Sequence, residues 1–142
     1  EEVAPAPVVN VVTDDGAVAT VALTGNDMMQ YNATEITVAA GRTVKLTLTH
    51  VGAMPASAMG HNFVLLAPGT DVAAFAAAGM AAQDTNYIAP SQADNVLAQT
   101  TLVGGGESAT VEFMAPAPGT YEFICTFPAH SSMMKGTFTV TE

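Results

Sequence analysis

Thr43-Val44-Lys45-Leu46-Thr47-Leu48-Thr49 sets Val44, Leu46 and Leu48 on one side of an extended chain and Lys45, Thr47 and Thr49 on the other. Alternation at a period of two marks a strand with one face in a core and one in water. On both sides of it, short segments rich in Val, Thr, Ile and Leu recur at 17–23, 35–38, 62–67, 98–103, 108–113, 119–125 and 136–141. Turn residues such as Gly104-Gly105-Gly106 and Pro116-Ala117-Pro118-Gly119 divide them. Short strands at this spacing predict an all-β fold, a β-sandwich or barrel.

Residues 71–83 break the pattern. Asp71 can cap the run Val72-Ala73-Ala74-Phe75-Ala76-Ala77-Ala78, whose alanines favour a helix. One short helical insertion is therefore expected, with Gly79 arguing for an early end or a weakened last turn. Residues 1–16 are small, acidic and Pro-containing, and read as an extended tail or tether ahead of one domain at 17–142. The opening Glu-Glu-Val-Ala-Pro-Ala-Pro has neither the basic start nor the apolar stretch of a signal peptide, as expected of a processed chain. A domain of this length buries a substantial core without disulfides, and with Cys125 as the single cysteine no intramolecular disulfide can form.

Three basic residues, Arg42, Lys45 and Lys135, stand against 13 Asp and Glu, for a formal charge of −10. That leaves no basic surface to neutralise phosphates, which excludes nucleic acid as a partner class and suits a basic partner or a saline setting. Although 49% of the residues are hydrophobic, no apolar run is long enough to cross a bilayer as a helix.

The chemistry concentrates in Cys125-Thr126-Phe127-Pro128-Ala129-His130-Ser131-Ser132-Met133-Met134-Lys135-Gly136, where a thiol, an imidazole and a thioether follow one another between two predicted strands. Soft sulfur donors combined with imidazole favour copper over magnesium or calcium. His61, directly after Gly60, supplies a second imidazole, and two His, one Cys and a more distant Met make the donor set of a type 1 copper site. Taken singly, each has an ordinary explanation: a lone Cys is usually a small buried hydrophobe, a Met fills core gaps and a His is often a hydrogen-bonded surface residue. Taken as one ordered string, they point to copper. A hydrolytic Cys–His pair fits less well, because Cys125 and His130 share a tight loop with no orienting third group or oxyanion device.

The same segments resemble the azurins, from about residue 17 to 141. The likeness is carried by Gly25-Asn26-Asp27-Met28-Met29-Gln30-Tyr31-Asn32, Met59-Gly60-His61-Asn62-Phe63-Val64-Leu65, Gly106-Glu107-Ser108 and Cys-Thr-Phe-Pro-x-His-x-x-x-Met-Lys-Gly at 125–136. Ala115-Pro116-Ala117-Pro118-Gly119-Thr120-Tyr121 is similar to the auracyanins, relatives with an N-terminal tail. The resemblance implies a Greek-key cupredoxin sandwich holding one copper ion. His61, Cys125 and His130 would be the strong ligands and Met134, not Met133, the weak axial one. The Gly60 carbonyl would approach from the opposite side, where glycine permits close backbone contact. Asn62 is expected to tie the two ligand loops together, and the amides of Asn62 and Phe127 to donate to the Cys125 sulfur, bonds that tune the potential. His50 matches a buried family histidine that is not a ligand. Met29, Met59, Met80, Phe127 and Ala129 form the expected docking patch around His130, with core filling an equal reading for Met29 and Met59.

The function implied is transfer of single electrons through Cu(I)/Cu(II), as a carrier and not an enzyme. The partners would be redox proteins such as c-type cytochromes or copper or haem oxidoreductases. A monomer is expected, in the periplasm or on the outer face of the cytoplasmic membrane, with the tail as a membrane tether. The competing readings are a Cu(I) carrier or storage module, a cupredoxin domain of a larger copper enzyme, and a metal-free adhesion sandwich. The second needs another copper and more than three histidines; the third leaves the Cys, His and Met loop unexplained. Three departures from the azurin pattern stand out. The family's cysteine pair near the N-terminal strands is missing, Phe63 stands where azurins often carry Trp, and Ala129 replaces a loop Gly. If that position needs a left-handed backbone, Ala strains or reshapes the loop.

Overall fold

The computed structural model describes residues 11–142. Among the described residues, nine strands form two sheets. In one, β1 (Val12–Asp14), β2 (Val18–Gly25), β4 (Thr43–His50) and β7 (Ser108–Met114) lie side by side in that order. In the other the order is β3 (Glu35–Ala39), β9 (Lys135–Thr141), β8 (Gly119–Ile124), β5 (Val64–Leu66) and β6 (Val96–Gln99). The chain leaves the first sheet after β2, adds β3 to the second and returns as β4, so β2 and β4 run parallel, as do β3 and β9. The other pairings are antiparallel. This is the expected all-β sandwich with a short helical insertion.

The alternation at 43–49 works as read. Val44, Leu46 and Leu48 are fully buried and stand in register with Ala19, Val21 and Leu23 of β2 and with Phe113, Val111 and Ala109 of β7. Facing them from the second sheet are Ile36, Phe138, Tyr121 and Phe123. Each large apolar side chain withdrawn from water contributes about 1.5–3 kcal/mol, so this double layer is the main stabilising element. β5 is buried along its whole length. Leu65 joins the inter-sheet core, while Val64 and Leu66 join Phe75, Ile88 and Ile124 in a second cluster. Phe75 belongs to α2 (Val72–Gly79), which explains why the chain spends residues on a helix there: it covers the outer side of β5 and β8.

The structure adjusts several expectations. The helix predicted over 71–83 is α2, with Asp71 as its N-cap accepting from Ala74 N at 3.1 Å. It stops at Gly79, and a separate 3₁₀ turn follows at Gln83–Thr85. A second short helix, α1 (Ala56–Met59), was not foreseen. Of the stretch read as a tail, residues 1–10 lie outside the described residues, but Val12–Asp14 form β1 against β2 and Val11 is buried in the core. A bifurcated bond from Arg42 Nε to the two oxygens of the Asp14 carboxylate, at 2.8 and 3.0 Å, pins β1 to the turn before β4. Pairing, burial and this ion pair hold this end, where the resemblance would lead one to expect a disulfide that a single cysteine cannot make. Phe63 is fully buried and packs on Phe123 at a centroid distance of 5.4 Å.

Candidate metal centre

At one end of the sandwich three segments converge. Cys125 follows β8 directly, and the loop it opens turns back on itself before β9. Cys125 N donates to Met134 O at 3.0 Å, His130 N to Phe127 O at 2.9 Å and Met134 N to His130 O at 2.7 Å. His61 is fixed by a two-way backbone bridge to Val103, with N–O distances of 3.1 and 2.8 Å. The third segment, after Gly25, folds over the His61 ring.

The result is a buried group of His61, Cys125 and His130, whose donor atoms all lie within 4.8 Å of one another. Cys125 Sγ is 3.7 Å from His130 Nδ1 and 3.7 Å from the Gly60 carbonyl oxygen. The tautomer of His61 is set by its surroundings: Nε2 donates to Asn26 O at 2.6 Å, so the lone pair is on Nδ1. That Nδ1 is the one buried side-chain nitrogen or oxygen among the described residues without a hydrogen-bond partner. A buried acceptor left unmatched costs about 1–3 kcal/mol, and a metal ion is the partner that fits an imidazole lone pair beside a thiol and a second imidazole. Met134 is fully buried while Met133 is 56% exposed, so the inward thioether is Met134.

The electrostatics keep all three donors uncharged in the metal-free protein. Burial pushes the Cys125 thiol up to about 12, against the pull of the Asn62 and Phe127 backbone N–H groups directed at its sulfur. Burial also pushes His130 down to about 4, reinforced by the neighbouring His61, and lowers His61 itself. A cation entering this site meets two free imidazole lone pairs and must displace one thiol proton.

The other residues expected here are placed as follows. Asn62 is fully buried; its Oδ1 accepts from Thr126 N at 2.8 Å and its Nδ2 donates to Thr126 Oγ1 at 2.8 Å, joining the two ligand segments side chain to backbone. His50 is buried and stacks on His61, with centroids 4.3 Å apart. Gly52 N donates to its Nδ1 at 3.0 Å, which leaves Nε2 to carry the proton to Met59 O at 2.8 Å, so His50 is a neutral structural ring outside the donor group. Phe127 packs on His130 at a centroid distance of 4.6 Å. Ala129 has φ 71, the left-handed backbone at which a side chain is strained. His130 is only 3% exposed. Phe127, Ala129 and Met80 line a depression of 280 Å³ between α2 and the ligand loop. Met29 and Met59 are half-buried and are not among its lining residues.

Sequence reasoning missed the residues that make room and orient. A side chain at Gly25 would bring its Cβ within 2.6 Å of the His61 ring and 3.1 Å of the Met134 methyl. Tyr31 donates its hydroxyl to Asn62 O. Asp27 accepts from Ala53 N at 2.8 Å and Met54 N at 3.2 Å, pinning the turn beyond His50. Gly25, Asn26 and Tyr31 lie in the 25–32 motif that carried the resemblance, so the signal was present without its mechanism.

A family model of copper-binding proteins, the plastocyanin/azurin family, matches residues 17–141. Outer membrane protein H.8 of Neisseria meningitidis is 41% identical over 120 residues, covering 82% of this chain and 64% of its own length; the chain thus spans just under two thirds of that relative. Azurin of Pseudomonas chlororaphis is 43% identical over 115 residues, 78% of this chain and 88% of that protein. The solved structure of auracyanin A, described as a blue copper protein of Chloroflexus aurantiacus, superposes with a TM-score of 0.79 at 34% identity, covering 87% of this chain and 99% of that one. A His–Cys–His donor group with one unmatched lone pair, on a fold and sequence of this kind, means that the chain belongs to the plastocyanin/azurin family of copper-binding proteins.

Proposed function

We propose that the protein is a blue copper electron carrier in which His61, Cys125 and His130 hold one copper ion, with the Met134 sulfur and the Gly60 carbonyl as weaker neighbours. The observation that carries this reading is the unmatched Nδ1 of His61 facing a buried thiol and a second imidazole. When bound, copper supplies a one-electron Cu(I)/Cu(II) couple. The chain's own residues keep the donors in place: Asn26 O holds the His61 tautomer, the Asn62 and Phe127 amides favour the thiolate, and the sandwich limits how far any donor can move. Limited movement means little rearrangement opposes electron transfer.

Partners would dock over the depression beside His130. Its lining by the alanines of α2, Met80, Phe127, Pro128 and Ala129 carries no ionisable group, which suits transient contact with another redox protein such as a cytochrome. Met80, 55% exposed, is the most open large apolar side chain of this face. Met80→Glu should slow electron exchange with such a partner about tenfold, as expected for a charge buried at an interface; unchanged rates would move the docking face elsewhere. The name of the H.8 relative supports a location in the cell envelope, with residues 1–10 available as a tether.

The decisive experiment is the visible spectrum with Cu(II), before and after ascorbate, for the native chain and Cys125→Ser. An intense blue band that bleaches on reduction and is lost in the variant is expected. A colourless protein under excess Cu(II) that still takes up Cu(I) would make it a copper carrier instead.

A further inference from the structure

Asn86 lies just after the Gln83–Thr85 turn, far from either ligand segment in sequence, and adopts a left-handed backbone with φ 63, followed by Tyr87 with φ 58. Asparagine tolerates that conformation better than most residues. Its side chain is spent on the segment after β6: Nδ2 donates to Thr100 O at 2.8 Å and to Gln99 Oε1 at 3.2 Å, and Oδ1 accepts from Leu102 N at 2.9 Å. The next residue, Val103, makes the bridge that fixes His61.

Its main chain faces the opposite way. Asn86 O accepts from Thr126 Oγ1 at 2.9 Å and from Asn62 Nδ2 at 3.4 Å. A hydroxyl has one hydrogen. Because Thr126 gives that hydrogen to Asn86 O, it must turn a lone pair towards Asn62 Nδ2, 2.8 Å away, and the Asn62 amide is thereby oriented with Oδ1 towards Thr126 N. The direction of the whole chain of bonds between the residue after His61 and the residue after Cys125 is thus set from Asn86. The turn itself has no slack. A Cβ on Gly79 would stand 2.1 Å from Tyr87 O, and the Tyr87 ring packs edge-on against Phe127 at 5.4 Å.

We propose that Asn86 is a positioning residue of the copper site, which sets the His61 segment against the Cys125 segment through the Asn62–Thr126 pair and so tunes copper affinity and potential. This rests on His61 and Cys125 being ligands. Asn86→Gly tests it, since glycine keeps the left-handed backbone and the carbonyl while removing the anchoring side chain. Two readouts are needed. In the metal-free protein, exchange of the Thr126 amide hydrogen should quicken about tenfold relative to amides of the sandwich centre. In the loaded protein, Cu(II) affinity should fall about tenfold, the lower end for loss of a bond that orients ligands, with a shifted reduction potential and blue band. Val38→Ala, which disturbs the core at the far end of β3, should lower the unfolding midpoint and leave both readouts in place. If Asn86→Gly matches the native protein in affinity, potential and band while only its melting point falls, the proposal is overturned; so it is if Val38→Ala moves them equally. If Thr126 exchange quickens but copper colour survives Cys125→Ser, the ligand assignment fails and the inference about copper falls with it.

Discussion

His61 takes its orientation from residues distant in the chain, whereas Cys125, His130 and Met134 take theirs from one another. The His61 ring rests on Gly25, stacks on His50 and donates to Asn26 O. The 125–134 loop closes through four backbone bonds between its own members, Met133 N to His130 O at 3.0 Å being the fourth. The contrast separates two kinds of dependence. The loop closes largely on itself and is tied to the rest of the fold at Thr126, by Asn62 and Asn86; His61 needs the finished tertiary structure.

The sharpest way to break this contrast is Gly25→Ala. A Cβ 2.6 Å from a ring wedged between His50 and Met134 cannot be accommodated without displacing His61. Overpacking of this kind should cost about 2–3 kcal/mol of stability, read from urea unfolding of the metal-free protein, and weaken Cu(II) binding at the same time. Stability falling with native copper binding would show that His61 is less dependent on its bed than argued.

Protons distinguish the two halves in a second way. With the thiol at about 12 and His130 at about 4, the metal-free site near neutral pH carries one displaceable proton, on the loop side. Binding of Cu(II) releases it, so apparent affinity should rise about tenfold per pH unit between about pH 6 and pH 8. Competition titrations with a chelator measure this; a flat profile would mean that Cys125 is already a thiolate in the free protein.

The smallest effect expected is local to the ligand loop. Ala129 holds φ 71 with a Cβ, and Ala129→Gly removes the strain for a gain of about 1 kcal/mol. Calorimetric melting of the metal-free variant checks it; a loss of stability would show that the unfolded-state entropy of glycine outweighs the relief.

What the sequence disclosed follows the same division. β4 could be read to its ends because one strand's alternation is a local property. Cys125, His130 and Met134 announce themselves as a string. The strand expected at 62–67 is shorter, Val64–Leu66, because the Asn62 carbonyl accepts the Tyr31 hydroxyl and Phe63 N donates to the Thr100 hydroxyl instead of joining the ladder. Val12–Asp14 was hidden by its Pro- and Ala-rich surroundings; only pairing with β2 reveals it as a strand. The helix ends at Gly79, as that glycine suggests, but the reason a glycine is needed there, the passage against Tyr87 O, is a contact no helix propensity encodes. Asn86 was invisible for a stronger reason: its role exists only once four separate segments meet.

The backbone bonds that close the ligand loop use none of the atoms a metal needs: they join Cys125 N to Met134 O, His130 N to Phe127 O, and Met133 N and Met134 N to His130 O. The loop can close before any metal is present, so an incoming ion meets donors already held in place rather than gathering them.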